Sequence, residues 1–93
     1  MDDLPPWNIK LEVSLEGLKG RKFAKAFGRR LEDVRRSRNL TLTYVSRATG
    51  FTTPRETLGR YETGQCLPTV RVLVRLAQAM GVQPGDLLPR LNG

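Results

Sequence analysis

From Phe23 onward the apolar residues of this chain recur at intervals of three and four, and Asn39, Gly50, Gly64 and Gly81 cut the run into pieces that suit only short helices. Phe23, Phe27, Leu31 and Val34 predict one helix ending near Ser37, with Asn39 as the stop. Thr41 is placed to cap a second helix with Leu42, Val45 and Ala48 facing inward, closed at Gly50 in a left-handed conformation. Thr53-Pro54-Arg55-Glu56 reads as a capping box with proline at the first helical position, so a third helix is expected from Pro54 to about Glu62. Pro68-Thr69 opens a fourth, with Val70, Leu73, Leu76, Ala77 and Met80 as its inward stripe. Pro84 to Leu88 predicts one last short turn, which makes the expected class all-α with five short helices.

The first 22 residues follow a different rule. Residues 1–8 are polar with a double proline, whereas Ile9, Leu11, Val13 and Leu15 alternate with Lys10, Glu12 and Ser14, the pattern of a half-buried strand. Gly17 and Gly20 bracket a basic stretch that includes Lys19, Arg21 and Lys22 and reads as a linker or as an arm. Two units are therefore expected: an N-terminal extension, 1–22, and a helical domain, 23–93.

The charge separates along the same line. Residues 1–22 sum to zero, and from residue 23 twelve cations stand against five anions, so the whole net charge of +7 lies in the helical part. After Lys25 every cation is Arg, whose planar fork suits phosphates and guanine edges, although a GC-rich coding sequence also produces an arginine excess. A polyanionic partner is expected, with nucleic acid, an anionic membrane surface and an acidic protein all compatible with the charge alone. The chain has no His and one Cys, Cys66, which excludes imidazole acid–base catalysis, Cys/His metal sites and an intrachain disulfide. No enzymatic activity, metal or cofactor is expected. Cys66 itself reads as an inert thiol or, alternatively, a redox switch. No apolar run is long enough to span a membrane, and no signal peptide is recognisable, so a reducing cytoplasm is the expected location.

Two short helices joined by a tight glycine turn form the arrangement that places a helix in a major groove. Residues 26–88 resemble the lambda-repressor/Cro (XRE-like) helix-turn-helix family. The resemblance is carried by Phe27-Gly28-Arg29-Arg30-Leu31 with Val34-Arg35, Leu40-Thr41 followed by Val45-Ser46 and Gly50, Tyr61-Glu62-Thr63-Gly64 followed by Pro68-Thr69, and Leu73 with Leu76 through Val82. It implies a lambda-repressor-like domain that binds double-stranded DNA as a transcriptional regulator, expected to be a repressor and a homodimer on an inverted repeat. The alternative is an antitoxin or other protein-interaction module that also binds its own operator. The sequence departs from the family at Phe51–Thr57, two residues longer than usual, at Leu42, where the family commonly has Gln, and at Gly59, where it often has Ser or Thr.

On this mapping the outward positions Arg55, Glu56, Thr57, Gly59 and Arg60 are the expected base contacts, with Glu56 also a capping partner for Thr53. Thr41, Thr43, Arg47, Thr53 and Gln65 are expected at phosphates, and Arg71 and Arg75 on a solvated face. The resemblance implies an ion pair between Arg35 and Glu62, partly buried. Dimerisation is expected to draw on Leu87, Leu88 and Leu91 and on the strand residues Ile9, Leu11, Val13 and Leu15, which would pair with a second copy or fold back on their own domain.

Overall fold

The computed structural model describes residues 17–89, which form four α-helices and one 3-10 turn, with no strand among them. The helices are α1 (Gly17–Ser37), α2 (Leu42–Ala48), α3 (Arg55–Glu62) and α4 (Val70–Met80), and the 3-10 turn spans Pro84–Leu87. The fifth expected helix is thus a single tighter turn: the Gln83 amide donates to the Asp86 carboxylate at 3.0 Å, the Asp86 amide donates to the Gln83 carbonyl at 2.9 Å, and Leu88 leaves it in extended conformation. The strand expected at 9–15 lies outside the described residues, as does Leu91.

Helix α1 starts at Gly17, six residues before the apolar periodicity does, so the stretch read as a basic linker is helical. Extending a helix costs far less than nucleating one, and the nucleus here is secured by the buried residues Ala24, Phe27 and Leu31. That is enough to carry Gly20, which by itself disfavours a helix interior.

Local signals set the other boundaries. The Thr41 hydroxyl accepts from the amide of Tyr44 (3.0 Å) and that of Thr69 from Val72 (3.3 Å). Asn39, Gly50, Gly64 and Gly81 all adopt positive φ where helices end. Phe51, directly after Gly50, also has φ +65°, a strained value for an aromatic residue, and its side chain is 70% exposed.

Phe27, Leu31, Val45, Leu58, Tyr61, Leu76, Ala77, Met80 and Leu87 make one continuous core. Helix α1 packs on α3 and on the 3-10 turn, and α2 packs on α3 and α4. Three apolar expectations change. Ala48 is exposed, and Ser46 and Thr49 take the inward positions of α2 instead. Val70, at the first turn of α4, is exposed. Leu87 is fully buried, because the 3-10 turn folds it back under α1 and α4, so it cannot contribute to a dimer surface.

The capping box expected at Thr53 is not formed. The Thr53 amide takes the Thr49 hydroxyl (3.3 Å) and its carbonyl accepts from the Ser46 hydroxyl (2.8 Å), which turns the Thr53 side chain into the protein at 2% exposure. Pro54 becomes the N-cap of α3 without a side-chain bond. The buried Thr53 hydroxyl has no hydrogen-bond partner among the described residues. A buried unpaired hydroxyl costs ~1–3 kcal/mol. The isosteric Thr53→Val is therefore expected to stabilise the fold by about 1 kcal/mol, raising Tm by several degrees in thermal denaturation; a fall of that size would show that the hydroxyl is satisfied.

Candidate nucleic-acid interface

The interface is built on the attachment of α3 to α1. Leu58 and Tyr61 bury one side of α3, while the backbone of its last turn lies directly on Gly28 of α1. A Cβ at Gly28 would collide with the carbonyl oxygens of Tyr61 and Glu62, so only glycine allows this approach. About two turns further along α1, Arg35 grips Glu62 with a two-pronged pair, Nε to Oε2 at 2.7 Å and Nη2 to Oε1 at 3.1 Å. Its Nη1 donates to the Leu40 carbonyl at 2.8 Å, just before α2. The two side chains are 11% and 8% exposed. Hydrogen bonding to Glu62 raises the Arg35 pKa above its ordinary value, against the opposing effect of burial. Burial likewise pushes the Tyr61 phenol upward, and Cys66 adds to the shift.

This anchoring decides which side of α3 faces out. Arg55, Glu56 and Arg60 are exposed, and Thr57 and Gly59 are half-buried. Glu56, released from capping, makes no hydrogen bond or ion pair among the described residues, nor do the side chains of Arg55 and Arg60. Among the described residues nothing lies within 4 Å of a Cβ built at Gly59, so crowding by them does not require glycine there. Arg55 lines a groove with Thr41, Leu42 and Thr43, which brings one expected base contact together with two expected phosphate contacts. Phe51 to Pro54 lie in the turn, and α3 is a regular helix from Arg55.

The expected phosphate contacts divide. Thr41, Thr43, Arg47 and Gln65 are exposed; the Gln65 side chain donates to the Thr63 hydroxyl (2.9 Å). Thr53 is excluded, since its side chain is enclosed by the turn. Sequence reasoning missed the Ser46–Thr49–Thr53 network and the contact made by Gly28. A glycine inside an otherwise apolar helical stripe is a signal that could have exposed the latter. Cys66 is exposed and free. Among the described residues no group of His, Cys, Asp or Glu could hold a metal ion, and no helix is long and apolar enough to cross a membrane.

Loss of the Glu62 charge would leave the Arg35 guanidinium nearly buried and unpaired, and breaking such a pair typically costs ~3–5 kcal/mol. Glu62→Gln, which keeps the shape and part of the hydrogen bonding, is expected to cost about 2–3 kcal/mol in denaturant unfolding. An unchanged midpoint would mean that the pair does not anchor α3.

No protein with curated annotation matches the chain. Among solved structures, the restriction-modification controller protein C.AhdI from Aeromonas hydrophila is similar at 26% identity, with 70% of this chain and 96% of that one covered and a TM-score of 0.65. The DNA-binding domain of BldD is similar at 32% identity, covering 74% and 97% respectively, with a TM-score of 0.66. Residues 26–91 match the model of a helix-turn-helix domain family. With α2, its turn and α3 arranged as described, the chain belongs to the helix-turn-helix family of the lambda-repressor/Cro (XRE-like) type.

Proposed function

We propose that this protein is a sequence-specific, double-stranded DNA-binding transcriptional regulator, acting as a repressor by occluding promoter DNA. The observation that carries the reading is the outward face of α3. It presents Glu56, Gly59 and Arg60, with Arg55 at its start, on a helix held from behind by Gly28 and by the Arg35–Glu62 pair. Arg60 can donate two bonds to guanine O6 and N7, and Glu56 can accept from cytosine N4. Arg55, Thr41 and Thr43 would set register on a phosphate, with Arg47 and Gln65 adding to the backbone contacts. The similarity to a controller protein and to a DNA-binding domain supports the same reading.

A single module of this size has too little interface for tight specificity, so the functional species is a homodimer on an inverted repeat. Of the apolar residues expected at its interface, Leu88 is accessible on the described surface. The remaining contribution would come from Leu91 and from the alternating residues Ile9, Leu11, Val13 and Leu15. A cytoplasmic location and the absence of enzymatic activity belong to the same reading.

Selection of binding sites from random duplexes tests the proposal. A palindromic consensus is expected, with Arg60→Ala relaxing the preference at one base step and Arg47→Ala weakening all duplexes alike. No enrichment of any duplex would overturn it.

Gly59 supplies a separate prediction. Glycine inside a helix costs ~0.5–1 kcal/mol relative to alanine, and the described residues leave room for a methyl group here. Gly59→Ala should therefore raise Tm while weakening binding to the selected duplex at least tenfold, because the added methyl would occupy space taken by DNA. Unaltered affinity would show that the α3 backbone does not approach the bases.

A further inference from the structure

Charge along α1 is segregated. From residue 17 to residue 31 there is no acidic residue, while Lys19, Arg21, Lys22, Lys25, Arg29 and Arg30 all fall in that span; Glu32 and Asp33 appear only beyond it. At 100° per residue, Arg21, Lys22, Lys25 and Arg29 share one arc of the helix about 100° wide, and all are exposed. Arg30 lies on another side, where its Nε donates to the Asp86 carbonyl at 2.7 Å. Farther along α1, Arg36 is paired with Glu32, so the excess positive charge is confined to the first half of the helix.

The position of this stripe is set by the contacts between α1 and α3. Gly28 and Arg35, the residues that touch α3, lie on the adjoining edge of α1. Lys25 itself abuts Gly64, two residues after α3: a Cβ at Gly64 would lie 2.7 Å from Lys25 Cγ and 2.9 Å from its Cα. The cations therefore run past the C-terminal end of the helix that carries Glu56 and Arg60, on its flank. From Arg21 to Arg29 the helix rises ~12 Å, the axial length over which one DNA strand presents roughly three or four phosphates. The helix's own field opposes cations near its N-terminus, an arrangement that a bound polyanion relieves.

We propose that Arg21, Lys22, Lys25 and Arg29 form a sequence-independent clamp on the DNA backbone beside the base pairs read by α3. The clamp rests on the DNA-binding function proposed above and gives the early start of α1 a role: the helical extension holds these cations in a fixed row.

The test uses the full chain and two charge-matched variants, Lys25→Gln/Arg29→Gln in the stripe and Arg71→Gln/Arg75→Gln on the exposed face of α4. Binding to the selected duplex and to a scrambled duplex is titrated at several salt concentrations, and Tm verifies the fold. For the stripe variant, the slope of log K against log salt should become shallower by about two, near 0.9 for each phosphate released. Affinity should fall by the same factor on both duplexes, with the consensus unchanged. The α4 variant should keep most of the wild-type slope. Equal effects of the two variants would reduce the stripe to net charge and overturn the clamp, as would a wild-type slope in the stripe variant. Phosphate-ethylation interference on the wild-type complex gives an independent measurement, with blocked positions expected just outside the consensus; a footprint confined to the consensus also overturns the clamp. Wild-type protein that binds neither duplex would remove the DNA-binding function itself, whereas tight wild-type binding with an unaffected stripe variant removes the clamp alone.

Discussion

The pair between Arg35 and Glu62 is the constraint on which the rest of the arrangement depends. A guanidinium has donors in a rigid fork, and here they reach both oxygens of Glu62 and the carbonyl of Leu40. Three pieces of chain that are distant in sequence, the end of α1, the entry to α2 and the end of α3, are tied by one side chain. Burial makes the connection strict, because both charges are largely withdrawn from water. Gly28 acts with it, bringing the backbones of α1 and α3 so close that α3 cannot rotate without a collision. With Leu58 and Tyr61 inside, the opposite face of α3 is committed to the outside.

The turn between α2 and α3 is governed by a second device. Gly50 and Phe51 adopt consecutive left-handed conformations, and Ser46 and Thr49 then hold the backbone of Thr53 from within. This network fixes the turn ahead of the first residue of α3. It also removes Thr53 from the surface and releases Glu56 from capping. The chemistry offered by α3 is thus shaped by hydroxyl groups that never reach the interface.

The charges fall into distinct groups. Arg35 and Arg36 are matched by acidic partners within the protein and Arg30 by a backbone carbonyl, whereas the outward cations of α3 are not so engaged among the described residues. The cations of early α1 are set on the flank of α3 by the same contacts that orient it. Base-edge recognition and backbone attraction would then be separate functions of two helices joined by one ion pair.

Helix-forming periodicity, the caps at Thr41 and Thr69, and the stops at Asn39, Gly50, Gly64 and Gly81 were legible because each depends on residues within one turn of one another. The Arg35–Glu62 pair was reached only through the family resemblance, since 27 residues separate the partners. Thr53 shows where local reasoning ends: its sequence neighbours favour a capping box, but Ser46 and Thr49 compete for its backbone and prevail. Leu87 and Ala48 exchanged their expected environments for the same reason, as burial depends on what another helix brings against a residue. The sequence by itself determined where most of the helices lie and that their surface is cationic, because periodicity, capping and charge are properties of nearby residues. Only the tertiary structure decided which side of α3 is free, how far α1 extends as helix and where its cations run, because each follows from contacts between segments that meet only when the chain is folded.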